Sequence, residues 1–150
     1  MTIYSYFRTS ELEATLEKDQ LDAILESEAL SIQTYCLGRR WFLTETLRDS
    51  NCSWNLEFHK RENGKKLIDM LQPGDVVLCS KLERIVSSSQ EAVKLIRDFK
   101  EKSTQLHVIE LGHDITSSES NVNFEMIAEV FSSLEKRKSA ERIRLSLIHI

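Results

Sequence analysis

Pro73-Gly74-Asp75-Val76-Val77-Leu78-Cys79-Ser80 is the stretch on which the fold turns. The apolar run is short and bounded by turns, so it reads as a buried central strand of a sheet covered on both faces. Working outward, Lys65 to Leu71 reads as a short helix closed by the Pro-Gly-Asp turn. Ser88 to Lys100 reads as another, with Val93, Ile96 and Phe99 inward, and Gln105 to Glu110 as a further strand. Toward the N-terminus, Arg40 to Glu45 reads as a strand followed by a long polar loop from Thr46 to Lys60. Ile3 to Phe7 alternates β-branched and aromatic residues before a charged helical pattern that places Leu21, Ile24 and Leu25 on one face. This alternation predicts an α/β fold, with a mostly parallel central sheet of about four to five strands flanked by helices. Functional residues are expected at the C-terminal ends of the strands.

From Asn121 to about Leu147 the pattern changes to one long C-terminal helix, in which Phe124, Ile127, Phe131 and Leu134 recur at spacings of three and four. At 1.5 Å per residue such a helix is on the order of 40 Å long, more than a small domain can cover. The expected organisation is therefore an α/β domain over 1–120 and a helix over 121–150. The apolar stripe of that helix would serve oligomerisation, and charge interrupts it at Lys138 and Glu141.

With 150 residues, 41% hydrophobic and 29% charged, four Gly and one Pro, the chain has the composition of a single globular domain. No apolar run is long enough to span a bilayer and no basic signal-peptide start is present, which predicts a cytoplasmic protein with no membrane partner. Cys36, Cys52 and Cys79 lack a C-x-x-C spacing and read as reduced, buried thiols. His59, His107, His113 and His149 are not spaced as metal ligands and there is no P-loop, so neither feature points to a cofactor. The net charge of −4 argues against DNA binding by the whole surface. Any nucleic-acid contact must rest on local clusters, of which two stand out: Lys60, Arg61, Lys65 and Lys66, and Lys136, Arg137, Lys138, Arg142 and Arg144. Each is equally readable as a solvated face.

Arg8-Thr9-Ser10 stands where the first strand ends. Ser10-Glu11-Leu12-Glu13 fits an S-x-x-E capping box, in which the serine would only close a helix start. Against this, a guanidinium two residues from a hydroxyl on a strand shares its face and can hold a phosphate oxygen. Ser88-x-x-Glu91 is a second box of the same kind.

Taken in order, the motifs resemble the resolvase/invertase family of serine site-specific recombinases, over nearly the full chain. That family opens with a strand ending Tyr-x-Arg-x-Ser and a helix carrying Gln-Leu. Tyr6-Phe7-Arg8-Thr9-Ser10 and Gln20-Leu21-Asp22-Ala23-Ile24 match. A family arginine precedes the Pro-Gly-Asp turn, and Arg61 lies thirteen residues before Gly74. The family's Lys-Leu-Asp-Arg appears as Lys81-Leu82-Glu83-Arg84, and its Glu-Arg pairs on the long helix appear as Glu135-Lys136 and Glu141-Arg142.

The resemblance implies DNA strand cleavage and exchange in site-specific recombination, with Ser10 as nucleophile forming a 5′-phosphoserine link, without metal or ATP. Arg8, Arg61 and Arg84 would stabilise the charge of the transition state, Glu83 would position arginines or act as acid, and Gln20 would orient the site. Lys60, Lys65, Lys81, Lys136, Arg137, Lys138, Arg142 and Arg144 would contact double-stranded DNA. The implied assembly is a homodimer that becomes a tetramer in the synaptic complex. Family members carry a DNA-binding module after the long helix, and none is expected within 1–150. The departures are a longer loop before Arg61, Glu83 for Asp, and Ala14 and Thr15 where the family often has Gln. Above all, Ser87 stands where the family has a further arginine. Loss of one such donor leaves as the alternative a catalytically impaired DNA-binding or regulatory protein that dimerises through the long helix.

Overall fold

The computed structural model describes residues 1–9, 13–50, 52–53, 56–116, 132 and 136. Its strands are β1 (Ile3–Arg8), β2 (Glu45–Asp49), β3 (Val76–Cys79), β4 (Gln105–Val108) and β5 (His113–Asp114), in the order β2-β1-β3-β4-β5. The first four run parallel, and β5 returns antiparallel to β4. The helices are α1 (Lys18–Arg39), α2 (Glu62–Met70) and α3 (Ser89–Glu101). The expected α/β class and mostly parallel sheet are present. The long C-terminal helix falls outside the described residues, apart from Ser132 and Lys136, which are helical and exposed.

Side chains of successive strand residues point to opposite faces, and this divides the interior in two. Ile3, Phe7, Val76 and Leu78 meet Ile32 and Cys36 of α1. Tyr4, Tyr6, Val77, Cys79, Leu106 and Val108 meet Leu67 of α2 and Ala92, Leu95 and Phe99 of α3. From β1 the chain crosses to β2 on one side and later to β3 on the other, so the strand order reverses between β1 and β3. In open parallel sheets the crevice beyond the carboxyl ends of the strands at such a reversal is where ligands bind.

Three sequence expectations shift. The second strand is Glu45–Asp49 rather than 40–45, because α1 runs to Arg39 and Arg40 closes it in the left-handed conformation (φ 57°). Trp41 and Leu43 then fold onto the α1 face instead of entering the sheet. The expected loop from Thr46 to Lys60 therefore begins with β2 and ends in a 3-10 turn at Phe58–Lys60. In α3 the buried row is Ala92, Leu95 and Phe99, turned one position from Val93 and Ile96. The capping box at its start holds, since the Ser88 hydroxyl accepts the Glu91 N–H at 3.1 Å.

The start of α2 is fixed from far away in sequence. Asp49, at the end of β2, accepts the Asn63 and Gly64 N–H groups at 3.0 and 3.1 Å and the Tyr6 hydroxyl at 2.7 Å, which satisfies free donors of the first helical turn. Gly64 is needed there because a Cβ would stand 2.1 Å from the Phe58 carbonyl oxygen. This close approach brings Arg61, immediately before α2, under the sheet.

Candidate active site

Three arginines meet at the β1/β3 reversal, each from a different segment. Arg8 is the last residue of β1, Arg61 precedes α2, and Arg84 ends the 3-10 turn Leu82–Arg84 that follows β3. All three are buried, at 5%, 1% and 6% exposure, although unpaired arginines almost never lie inside a protein. Backbone carbonyls tie them together. Arg8 Nη1 donates to Cys52 O at 3.3 Å and its Nη2 to Glu83 O at 3.2 Å. Arg61 donates to Leu56 O (3.0 Å), Arg84 O (2.8 Å) and the Tyr6 hydroxyl (3.3 Å). Arg84 Nη1 donates to Arg8 O at 3.0 Å.

Charge balance is uneven within this cluster. Arg84 is paired with two carboxylates, Glu13 at 2.6 Å and Glu28 at 2.7 Å. Burial alone would lower its pKa. The hydrogen bonds and charges of Glu13 and Glu28 outweigh that and hold it above the ordinary arginine value. Arg8 is pulled below its ordinary value, first by burial and then by the positive charges of Arg61 and Arg84. Burial also pushes the Tyr6 phenol up, against the opposing charge of Arg61, so Tyr6 is a neutral hydrogen-bonding post between Arg61 and Asp49. Two donors, Arg8 Nε and Arg61 Nη2, are buried with no partner among the described residues. An unsatisfied buried donor costs about 1–3 kcal/mol, more when charged, and calls for an acceptor. Guanidinium donors of this kind have the charge and geometry that bind a tetrahedral oxyanion such as phosphate.

The expected site residues separate into groups. Arg8, Arg61 and Arg84 come together. Glu83 lies beside them and contributes its backbone carbonyl to Arg8. Gln20 is exposed on the first turn of α1 and does not enter the buried cluster; Glu28 of the same helix does. Ser10 lies outside the described residues, two positions beyond Arg8. The helix read as starting there begins instead at Lys18, after a 3-10 turn at Glu13–Thr15. Ser87, in the place of the family arginine, binds Glu91 through both its N–H (3.1 Å) and its hydroxyl (2.9 Å). Lys60 and Lys65 are exposed beside α2, Lys81 is half-buried, and Lys136 is exposed. Arg137, Lys138, Arg142 and Arg144, and the stripe of Phe124, Ile127, Phe131 and Leu134, lie outside the described residues.

Glu28, Ser80 and Asp49 complete the site and were not singled out in the sequence, and Glu13, read there only as the acid of a capping box, pairs with Arg84. Glu28 did leave a signal. It falls four residues before Ile32 and eight before Cys36, on the buried row of α1, where a carboxylate requires a cationic partner. Asp49 left none, because its partners come from β1 and α2.

Comparison with known proteins bears on the family and the fold. Residues 3–149 match the family model for the resolvase N-terminal domain. The Tn2501 transposon resolvase of Escherichia coli is 22% identical over 129 residues, covering 85% of this chain. The chain spans about 60% of that relative's length. Among solved structures, the N-terminal catalytic domain of TP901-1 integrase superposes with a TM-score of 0.61 at 17% identity, covering 91% of this chain and 98% of that one. A resolvase family site-specific recombinase from Streptococcus pneumoniae gives 0.61 at 16% identity, with 97% and 93% covered. The C-terminal catalytic domain of ISC1926 TnpA, an IS607-like serine recombinase, gives 0.54 at 16%, with both chains fully covered. These structures share the fold, and the family match extends over almost every residue, so the chain belongs to the resolvase N-terminal domain family.

Proposed function

We propose that this chain is the catalytic domain of a serine site-specific recombinase, cleaving and rejoining DNA through Ser10. The observation that carries the reading is the buried arginine cluster at the end of β1, with open donors on Arg8 and Arg61, two residues before a serine. In the reaction the Ser10 oxygen forms a bond to phosphorus and the bond to the 3′ oxygen breaks. The leaving oxygen takes up a proton, giving a 5′-phosphoserine and a free 3′-hydroxyl. One phosphoester replaces another, so the reverse attack by a 3′-hydroxyl reseals the strand without ATP. The arginines supply preorganised donors to the non-bridging oxygens as charge builds there, the work that a metal ion does elsewhere. Glu83 would act as acid for the leaving oxygen or help to position the arginines. Residues 121–150, with Phe124, Ile127, Phe131 and Leu134, would bring protomers together as a dimer and then a synaptic tetramer. Lys60, Lys65, Lys81 and the basic residues from Lys136 to Arg144 would hold the DNA backbone.

Incubation with a panel of nicked duplexes, followed by peptide mapping of any covalent adduct, tests the assignment. The adduct is expected on Ser10 and is lost in Ser10→Ala with the fold intact by circular dichroism. An adduct on any other residue overturns it. A second reading, a DNA-binding relative that does not cleave, is favoured by Ser87, whose hydroxyl serves Glu91 where the family has an arginine. Ser87→Arg separates the two readings. A cleaving enzyme short of one donor gains up to about 10²–10³ in adduct formation, whereas a non-cleaving protein gains none.

A further inference from the structure

Arg84 differs from its two neighbours in having every N–H donor taken. Nε and one hydrogen of Nη2 face Glu28 at 3.1 and 2.7 Å. One hydrogen of Nη1 and the other of Nη2 face Glu13 at 2.6 and 3.1 Å, and the last goes to the Arg8 carbonyl. A guanidinium offers two forked edges, each able to hold two oxygens of a carboxylate or of a phosphate. Here Glu28 fills the side edge and Glu13 fills the end edge, which borders the last residue of β1.

The two carboxylates are held differently. Glu28 lies in the middle of a 22-residue helix, in the buried row with Ile32 and Cys36, and also accepts the Ser80 hydroxyl. Glu13 sits in a three-residue 3-10 turn, and its side chain is twice as exposed, 16% against 8%. A carboxylate on that edge matches a phosphodiester in charge and in the spacing of two acceptor oxygens. With both carboxylates in place, a third anion would meet Arg84 only at the expense of one of them. Glu13 is the one held by the shorter and more exposed element.

We propose that Glu13 occupies, in the DNA-free protein, the Arg84 edge that receives a DNA phosphate, and that Glu28 is the positioning residue that keeps the guanidinium aimed once Glu13 has withdrawn. Withdrawal leaves Arg84 with Glu28 alone and frees one forked edge of two donors for an incoming phosphate. The identity of the ligand as DNA rests on the recombinase reading; the occupied edge does not.

The test uses thymidylyl-thymidine as a minimal phosphodiester, with its binding followed by the shift of the Arg84 Nε–H resonance. Glu13→Gln keeps the shape of the side chain and removes its charge. It is expected to tighten binding about tenfold, the factor for an edge that is open about one part in ten in the wild type. Adduct formation on nicked duplexes should rise with it. Glu28→Gln should weaken binding and Glu28→Asp should restore part of the loss, while circular dichroism stays unchanged. If Glu13→Gln is poorly folded, Glu13→Asp, one methylene too short to span both nitrogens, takes its place with the same expectation. Unchanged or weaker binding in a folded Glu13 variant overturns the proposal. Tighter binding with no adduct on any duplex sustains it and removes the recombinase reading. An adduct formed alongside unchanged binding in Glu13→Gln sustains that reading and overturns the proposal.

Discussion

The two faces of the sheet are held by different physics. On the α2/α3 face, Tyr6, Phe58, Leu67, Val77, Leu82, Ile85, Phe99 and Leu106 form one continuous core, with Tyr6 and Phe58 meeting edge to face at 4.9 Å. On the α1 face the buried cluster among the described residues is smaller, with Ile3, Phe7, Ile32, Cys36, Val76 and Leu78, and partly buried residues such as Leu25, Ala29 and Trp41 pack against it. There polar links join these apolar contacts in holding α1 to the sheet. Glu28 holds Ser80 and Arg84, and the Tyr35 hydroxyl meets His107 Nδ1 at 2.5 Å, with Trp41 against the same imidazole. A cleft of about 540 Å³ opens between α1 and the end of β3, lined by Ser27, Glu28, Ser80, Lys81, Ile109 and Glu110. The outer side of α1 leaves Leu30 and Leu37 in solvent. A core resists sliding because every displaced methylene opens a void, whereas a helix held by a few hydrogen bonds shifts by exchanging them. The arginines stand at the boundary of the two regimes. Arg61 stands just before α2 on the core face, while Arg84 is held by Glu28 of α1 and by Glu13 of the turn before it.

The largest effect expected from this contrast is on the core face. Phe99→Ala removes a fully buried ring among tightly packed neighbours and should cost about 3–5 kcal/mol in denaturant unfolding, lowering α2, α3 and the sheet together. A loss confined to α3 would show that this face is not one cooperative unit. Next, Tyr35→Phe deletes only the hydroxyl that reaches His107 and should cost about 0.5–1.5 kcal/mol. Amide exchange should quicken along α1 while β3 and β4 keep their protection. Equal quickening in the sheet would mean that α1 is as firmly bound as the other helices. The smallest effect is at Leu37, which is 79% exposed on α1. Leu37→Ser should change stability by no more than about 0.5 kcal/mol, and a larger loss would place a partner surface on that helix.

Much of this was legible in the sequence because it is local. The apolar run at Val76, the alternation at Ile3–Phe7 and the Ser88 capping box each depend on a few consecutive residues, and they appear where periodicity and turn chemistry place them. Arg8, Arg61 and Arg84 were legible through motif order, since each stands at a strand end or a helix start. Distant residues decide what local pattern and motif position leave open. Arg40 to Glu45 has a strand's composition, but Glu45–Asp49 is the segment that reaches β1, with Tyr4 opposite Glu45 and Arg8 opposite Asp49. Gln20 has the motif position, but Glu28, two helical turns further along α1, is the residue that meets Arg84.

By itself, then, the sequence determined the alternation of strands and helices, because side-chain periodicity acts over a few residues, and its motif order picked out the three arginines through their resemblance to a known family. The tertiary structure alone decided how the charge of those arginines is spent. Glu13, Glu28 and Asp49 are separated from their partners by between 14 and 71 positions along the chain, and only the parallel crossovers bring them within hydrogen-bonding distance. An arginine in a sequence carries one positive charge wherever it stands. Whether its donors are all taken, as on Arg84, or one is left without a partner among the described residues, as on Arg8 and Arg61, depends on what the fold places within about 3 Å of each nitrogen.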